Sequence, residues 1–301
     1  MPKRIEILTF TAIGDAYGLY FENAPKEIVR SRNNLAGYFT HSRSGRYSDD
    51  TQMSLAVAET VLKYGAGATA RDFAASFVAA FQRDQRETYA GGFYRFLLTV
   101  VDADDFLSRI RNTSDKSGGA MRAGPCGLFA DVEVVKSVAA RQASVTHNTP
   151  AGIAAAQTAA LMVHYSLYGP GPRRDLPDFL DSHVGGYSWS RPHKGPVGAK
   201  GCDSVRAALT ALLRSHDVAE LLVNCVNFTG DVDTVAAIAM AAAACTDDIV
   251  RDIPAPLWEG LENGRFGRDS LIRLDSDLHR FASDQGVPVD RFTAEAPRLA
   301  P

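Results

Sequence analysis

"NFTGDVDTVAAIAMAAAAC" (residues 227–245) places two acidic residues in front of a long apolar run. The run is rich in alanine, whose small side chain favours a helix and lets neighbouring helices approach closely. It is far shorter than the roughly 20 apolar residues that a membrane-spanning helix needs. The segment therefore predicts a core helix that is buried on several faces and has carboxylates at its start.

Apolar residues recur at helical spacing in much of the remaining chain. Phe73, Phe77 and Phe81 are four residues apart, which puts them on one face of a helix. Residues 153–167, 205–212 and 218–225 repeat the pattern, whereas the strand-like "DVEVV" (131–135) is short and isolated. We predict an all-α fold in which residues 1–301 form a single compact domain of orthogonally packed helices, with a weakly ordered tail from about residue 289.

Composition excludes several classes of protein. The chain of 301 residues has a formal net charge of −3, which argues against a basic nucleic-acid surface and a stable nucleic-acid partner. No signal peptide and no membrane span are recognisable, so we expect a cytoplasmic protein that binds no membrane. The four cysteines lack C-x-x-C spacing, which predicts reduced thiols rather than a zinc site. A monomer is the default expectation.

A second segment, "YSDDTQMSLAVAET" (residues 47–60), also places short oxygen-bearing side chains at the start of an apolar helix. Either cluster alone is typical of a helix N-cap, because Ser and Asp accept hydrogen bonds from the first turn. One cap needs one acid, however, and each cluster offers two acids and a hydroxyl. The residues concerned are Ser48, Asp49, Asp50, Asp231, Asp233 and Thr234.

The two clusters would repel each other if the two helix starts faced one another. Two carboxylates about 5 Å apart repel by about 3 kcal/mol at an effective dielectric constant of about 20. Four of them would need protons or cations as compensation. Oxygen ligands without His or Cys suit hard cations such as Mg²⁺, Mn²⁺ or Ca²⁺, and four carboxylates carry enough charge for two divalent ions.

A third acidic segment, "AIGDAYGLYFE" (residues 12–22), carries Asp15 and Glu22. The two acids are seven residues apart, which is two helical turns, but Gly14 and Gly18 could break such a helix. Its position alone would predict that Glu22 is a solvated acid on the protein surface.

In these and two further segments the chain resembles the ADP-ribosylglycohydrolase family. The similarity runs in order through "GDAYGLYFE", "YSDDTQMSLAVAE", "SGGAMRAGPCGLF", "THNTPAGIAAAQTAAL" and "NFTGDVDTVAAIA". It implies an all-α fold with two Mg²⁺ (or Mn²⁺) ions in a central cleft. The ligands that it implies are Ser48, Asp49, Asp50, Asp231, Asp233 and Thr234.

The resemblance also implies a substrate site and a reaction. Glu22 matches a glutamate at the metal edge that takes part in catalysis, and His147 matches a histidine near the nucleotide. Glycine-rich "SGGAMR" (117–122) matches a loop that cradles the diphosphate of ADP-ribose, where glycines let backbone N–H groups approach an anion. The substrate-binding residues expected on this basis are Asp15, Ser117, Gly118, Gly119, Met121 and His147. Tyr187 and Trp189 are candidates for stacking on adenine.

The expected reaction is hydrolysis at the anomeric carbon of the distal ribose, which releases ADP-ribose. The general acid or base is Glu22, Asp50 or Asp231, and the residues do not choose among the three. A metal-dependent phosphodiesterase acting on a nucleotide diphosphate, or a non-catalytic ADP-ribose-binding protein, would use the same side chains.

The acceptor is left open by the sequence: arginine, serine, a polymer, acetylated ADP-ribose or a nucleobase, carried on a protein, a nucleic acid or a small molecule. Acceptor choice is expected in residues 23–47 and 183–201. Basic side chains in these stretches would favour an anionic acceptor unless they are simply solvated; they are Arg30, Arg32, Arg43, Arg46, Arg191, His193 and Lys194.

Overall fold

The computed structural model describes residues 5–34 and 45–287. These residues form α-helices and short 3₁₀ turns, and they contain isolated β-bridges but no sheet. The all-α prediction is confirmed. The helices are α1 (Ile7–Leu19), α2 (Lys26–Arg32), α3 (Asp49–Tyr64), α4 (Ala70–Arg83), α5 (Gly91–Leu97), α6 (Ala103–Arg109), α7 (Val132–Ser144), α8 (Pro150–Tyr168), α9 (Leu176–His183), α10 (Gly201–Arg214), α11 (Val218–Val226), α12 (Val232–Ala243), α13 (Ala255–Gly260) and α14 (Arg268–Asp284).

The alanine-rich run forms α12, and every residue of this helix is buried. Helix α1 packs along α12, and α8, α10 and α11 cover its other sides. Gly14 allows the close approach of α1, because a Cβ atom added there would lie 2.6 Å from the carbonyl oxygen of Ala236. Gly14 and Gly18 both lie inside α1. These glycines do not break the helix; they allow α1 to pack closely against α12.

Buried Asp275 of α14 caps α1 from outside the helix. Its carboxylate accepts hydrogen bonds from the backbone N–H groups of Leu8 and Thr9 at 2.8 and 2.9 Å, and from the Thr9 hydroxyl at 2.7 Å. Residue Glu6 at the N-cap position makes no side-chain capping bond. The free N–H groups of the first turn of α1 are thus satisfied by a residue more than 260 positions away in sequence.

Several local predictions are confirmed. Phe73, Phe77 and Phe81 are buried on α4, which begins with a capping box between Thr69 and Asp72. The three other periodic segments lie in α8, α10 and α11. All four cysteines are free and buried.

One local sequence signal, the strand-like segment at residues 131–135, does not correspond to a strand. These residues start α7 instead, because the Asp131 side chain accepts hydrogen bonds from the N–H groups of Glu133 and Val134.

Among the described residues, no helix is long and apolar enough to cross a membrane. The tail predicted from residue 289 falls outside the described residues.

Candidate active site

The acidic starts of α3 and α12 lie on the wall of one cavity of about 410 Å³. The structure thus brings the two acidic clusters together. Of the predicted site residues, those that line the cavity are Glu22, Asp49, Asp50, Ser117, Gly118, Met121, His147, Asp231, Asp233 and Thr234. Those that do not line it are Asp15, Ser48 and Gly119.

Helix capping does not account for the acids. Ser48 caps α3, since its Oγ accepts a hydrogen bond from the backbone N–H of Asp50 at 3.1 Å. Asp231 occupies the N-cap position of α12, but its side chain makes no capping bond. The carboxylates of Asp49 and Asp233 are therefore additional to what the two helices need for capping.

The two acidic clusters interact electrostatically. Burial and the nearby charges of Asp15, Asp49 and Asp231 raise the pKa of Asp50 well above its ordinary value, so the starts of α3 and α12 act on each other. Oxygen atoms of Glu22, Asp231 and Asp233 all lie within 4.8 Å of one another. Glu22 stands in the turn that follows α1, so three separate segments of the chain supply acids to one region.

Burial and mutual repulsion make these carboxylates reluctant to ionise. Burial, together with the nearby carboxylate of Asp15, raises the pKa of Asp49 to about 7. Burial and the negative charges of Asp50 and Asp231 raise the pKa of Asp233 well above its ordinary value. Ionised carboxylates this close together need a compensating positive charge.

The cluster fits hard cations. Among the described residues, three buried carboxylate oxygens have no hydrogen-bond partner, the Oδ1 atoms of Asp15, Asp50 and Asp233. Buried acceptors are normally satisfied, so unpaired carboxylate oxygens concentrated in one place suit a positively charged partner. Carboxylate and hydroxyl oxygens are the ligands that Mg²⁺ and Mn²⁺ prefer.

Asp15 supports this site from behind the cavity wall. It is fully buried, and its Oδ2 accepts hydrogen bonds from the backbone N–H groups of Ser48 and Thr51 and from the Thr51 hydroxyl, at 2.9, 3.0 and 2.6 Å. Asp15 does not line the cavity, so the substrate contact expected for it stays a prediction. Its position fixes the first turn of α3, which carries Asp49 and Asp50.

A tight turn in front of α12 positions Asp231. Thr229 and Gly230 have φ angles of 64° and 92°, in the left-handed region that favours glycine. A Cβ atom at Gly230 would lie 1.9 Å from the carbonyl oxygen of Val197. The carbonyl of Gly230 accepts a hydrogen bond from the N–H of Asn23 at 2.8 Å. The N–H of Asp231 donates to the carbonyl of Val197 at 3.1 Å. The turn therefore requires glycine at residue 230.

Residues 197–200, here called the bridging segment, connect this turn to the glycine-rich loop. Val197 donates its N–H to the carbonyl of Thr229 at 2.9 Å. Two residues later, the carbonyl of Ala199 accepts the N–H of Ser117 at 3.1 Å. Val197, Gly198 and Ala199 also line the cavity. One short segment thus sets the distance between the acids and the loop.

The glycine-rich loop packs on a histidine ring. Ser117–Gly119 form a 3₁₀ turn, and a Cβ atom added at Gly118 would lie 3.0 Å from Cε1 of His147. The Ser117 hydroxyl hydrogen-bonds the carboxylate of Asp231. Burial and the charge of Arg122 lower the pKa of His147 to about 3, so its ring is neutral near pH 7. The loop and the acidic cluster form one continuous surface.

The profile of the ADP-ribosylglycohydrolase family matches residues 7–287. The chain belongs to this family. Its activity class is therefore hydrolysis at ADP-ribosyl groups, as the sequence predicted.

Two characterised relatives of this ADP-ribosylglycohydrolase have names that state their activities. The ADP-ribosyl-[dinitrogen reductase] glycohydrolase of Rhodospirillum rubrum is 28% identical over 264 residues, which are 81% of this chain and 85% of the relative. The ADP-ribosylarginine hydrolase Tri1 of Pseudomonas putida (strain GB-1) is 24% identical over 245 residues, or 76% of this chain and 66% of the relative.

A solved structure of an ADP-ribosylglycohydrolase-related protein complex has the same fold. It matches with a TM-score of 0.69 and 22% sequence identity, over 93% of this chain and 98% of that chain. The family fold that the sequence resemblance implied is therefore confirmed.

The expected adenine-stacking residues of this ADP-ribosylglycohydrolase lie elsewhere. Trp189 is 1% exposed, and its indole N–H donates to the carbonyl of Val184 at 2.9 Å. Neither Trp189 nor Tyr187 lines the cavity. The hypothesis that Trp189 stacks on adenine is wrong, because an indole packed in the core has no free face. Tyr89 and Phe93 are the aromatic residues on the cavity wall, with ring centres 5.8 Å apart.

Other contributors to the site of this ADP-ribosylglycohydrolase were missed in the sequence. Asn23, the bridging segment and the Tyr89–Phe93 pair depend on contacts between distant parts of the chain. The sequence offered one usable signal, the Gly and Pro residues that mark 185–201 as a loop. It does not tell which of these loop residues contact the turn at residues 229–231.

Proposed function

We propose that this ADP-ribosylglycohydrolase uses two divalent ions, Mg²⁺ or Mn²⁺, to cleave the glycosidic bond at the distal ribose of an ADP-ribosylated acceptor. The unpaired Oδ1 atoms of Asp50 and Asp233 carry this proposal, because they belong to different helices and share one cavity wall. The residues that would hold the ions are Ser48, Asp49, Asp50, Asp231, Asp233 and Thr234. When bound, the ions would supply Lewis acidity and neutralise the clustered charge.

The cavity wall offers a surface suited to each part of ADP-ribose. Acids occupy one part, and Ser117 and Gly118 follow directly, since Ser117 contacts Asp231. The Tyr89–Phe93 pair provides an apolar surface on the same cavity wall. We assign the distal ribose to the acids, the diphosphate to the loop and the adenine to Phe93, the partly exposed member of the aromatic pair. A cavity of about 410 Å³ lies within the range of small-molecule sites.

Glu22 is the best placed of the three candidate proton-transfer groups. Its side chain is exposed at the cavity wall, and Asn23 Nδ2 donates to its Oε1 at 3.1 Å. Asp50, in contrast, is 4% exposed, and Asp231 is engaged by the Ser117 hydroxyl. We assign to Glu22 the transfer of a proton from the attacking water to the leaving acceptor as the glycosidic bond breaks.

The acceptor proposed is the guanidinium group of arginine. Glu22 is exposed at the cavity wall and is not among the proposed ion ligands, so its carboxylate would be available to pair with a cationic acceptor when the ions are bound. Both named relatives are ADP-ribosyl hydrolases, and one is an ADP-ribosylarginine hydrolase. The basic residues that would favour an anionic acceptor do not line the cavity where they are described, and Arg43 lies outside the described residues.

A comparison of acceptors tests the proposal. Arginine-linked, serine-linked, acetylated and nucleobase-linked ADP-ribose are incubated with the protein and Mg²⁺ or Mn²⁺, and the products are separated by chromatography. We expect free ADP-ribose, formed fastest from the arginine conjugate. AMP with a ribose phosphate would establish phosphodiester cleavage instead. Binding of ADP-ribose with no turnover of any conjugate would establish a non-catalytic binding protein.

The role of Glu22 is tested with a Glu22→Gln variant. We expect kcat to fall by at least about 100-fold, the usual contribution of a general acid or base, while ADP-ribose still binds. Asp104→Asn is the matched control, because Asp104 forms an exposed ion pair with Arg71 away from the cavity. Near-normal turnover by Glu22→Gln would move the proton transfer to Asp50 or Asp231.

A further inference from the structure

The glycine-rich loop is followed by a buried arginine that the proposed reaction does not use. Arg122 is 1% exposed and is one of the residues that line the cavity. Its Nε donates to Oε1 of Gln142 at 2.7 Å, and its Nη2 donates to the Gln142 carbonyl at 3.1 Å and the Thr146 hydroxyl at 2.9 Å. Its Cζ lies 4.2 Å from the centre of the Phe77 ring.

Arg122 forms no ion pair with any carboxylate of the described residues. Its neighbours are an amide, a hydroxyl, a backbone carbonyl and an aromatic face, all of which are neutral. Arginine is rarely buried without an acidic partner, because the charge loses its hydration. A buried positive charge without a partner beside a cavity is suited to an anionic ligand.

One branch of this network reaches the loop backbone. The Gln142 side chain, which accepts from Arg122, donates its Nε2 to the carbonyl of Gly119 at 2.8 Å. The bond turns the Gly119 carbonyl toward the protein interior. The guanidinium therefore restrains the orientation of the peptide groups that face an anion.

The second branch reaches His147. The Thr146 hydroxyl lies 2.6 Å from Nδ1 of His147 and already accepts a hydrogen bond from Arg122. If Nδ1 also donated to it, the buried Thr146 O–H would have no acceptor among the described residues. The hydroxyl therefore donates to Nδ1, and the proton of the neutral ring is on Nε2. Nε2 lies on the side of Gly118, 3.3 Å from where a Cβ atom would be.

We propose that Arg122 is a positioning residue for the diphosphate-binding surface. Through Gln142 it fixes the Gly119 peptide, and through Thr146 it fixes the His147 tautomer that presents an Nε2–H donor. The negative charge of the bound diphosphate balances the positive charge of Arg122. The ligand's identity rests on the function proposed above, whereas the linkage from Arg122 to His147 belongs to the free protein.

The linkage is tested by affinity measurements on Arg122→Lys, which keeps the charge but loses the forked geometry. We expect its Kd for ADP-ribose, measured by calorimetry, to rise by at least about tenfold, the effect of one lost charge-assisted hydrogen bond. Its Kd for Mn²⁺ should stay within about twofold of the wild-type value. Arg141→Lys is the control, since Arg141 donates to the carbonyls of Ala66 and Ala68 and does not line the cavity. An unchanged Kd of Arg122→Lys for ADP-ribose would overturn the proposal.

A second variant decides the matter if Arg122→Lys does not fold. Thr146→Val keeps Arg122 and removes only the branch to His147. In the wild type, ¹⁵N NMR should report a neutral His147 ring protonated on Nε2, and in Thr146→Val a change toward the Nδ1-protonated form together with weaker ADP-ribose binding. An Nδ1-protonated ring in the wild type, or no change in the variant, would overturn the proposal. If the wild type binds no ADP-ribose, the proposed function fails, and the NMR result still tests the linkage.

Discussion

Gly18 of α1 lies directly against the backbone of Asp233: a Cβ atom added at Gly18 would come within 2.4 Å of the Asp233 Cα atom. One close approach of the two central helices thus occurs where α12 presents a site carboxylate. Since α1 ends at Leu19 and Glu22 follows, the same contact sets the distance between Glu22 and Asp233. The packing of the core and the geometry of the acidic cluster are determined together.

Gly18→Ala should therefore damage the site as well as the fold. The added methyl group meets backbone, which must move, so we expect a loss of about 1–3 kcal/mol in the free energy of unfolding, as for an overpacked core. Mn²⁺ affinity, measured by calorimetry, should fall with it. Gly67→Ala is the control, because a Cβ atom there meets nothing within 4 Å. Equal Mn²⁺ affinity in Gly18→Ala and the wild type would contradict this account.

Asp233→Asn should separate stability from metal binding. At neutral pH the metal-free fold must keep Asp233 protonated or bear its repulsion, because its pKa is raised well above the ordinary value by burial and by Asp50. The amide removes this cost, so we expect the metal-free variant to be more stable by about 1–3 kcal/mol at pH 7.5. Its thermal midpoint should no longer rise on addition of Mn²⁺.

The surface variant Asp104→Asn controls for loss of a carboxylate. Its exposed pair with Arg71 contributes little, so stability should change by less than about 1 kcal/mol and the response to Mn²⁺ should persist. A metal-free Asp233→Asn that is less stable than the wild type would argue that the acids are not under electrostatic strain.

The sequence predicts the helices and the two acidic clusters for physical reasons that are local. Phe73, Phe77 and Phe81 share a face because of helical periodicity, and Asp231 and Asp233 stand out because capping does not need two acids. The sequence does not predict what depends on tertiary contact. The bond from the Ser48 N–H to Asp15, which supports the first turn of α3, and the burial of Trp189 in the core are not encoded in neighbouring residues.

Asp275 should make stability depend on pH. Burial raises its pKa to about 7, although its three hydrogen-bond donors act in the opposite direction. A raised pKa means that the folded state holds a proton that the unfolded chain releases, so this contribution is complete below about pH 4 and is lost as the pH rises through about 7. Urea unfolding of the wild type and Asp275→Asn from pH 4 to 8 measures it. The difference in unfolding free energy should change by up to about 4 kcal/mol, and parallel pH profiles would contradict the prediction.

Phe93→Ala should weaken ADP-ribose binding if the aromatic pair holds the base. Stacking of one base on one aromatic ring contributes about 1–3 kcal/mol, so we expect Kd to rise by about 5- to 150-fold. Phe281→Ala is the matched control, because Phe281 is also partly buried, packs on Phe129 with ring centres 5.3 Å apart and does not line the cavity. Equal losses in the two variants would indicate a general effect of damaged packing.

In the proposed site, Asp49 and Asp50 share divalent ions with Asp231 and Asp233. Anomalous diffraction from crystals grown with Mn²⁺ measures this most directly, because it locates the metal independently of activity. We predict two anomalous peaks, each within coordination distance of these carboxylates. Crystals with saturating Mn²⁺ and no anomalous peak between the starts of α3 and α12 would contradict the account.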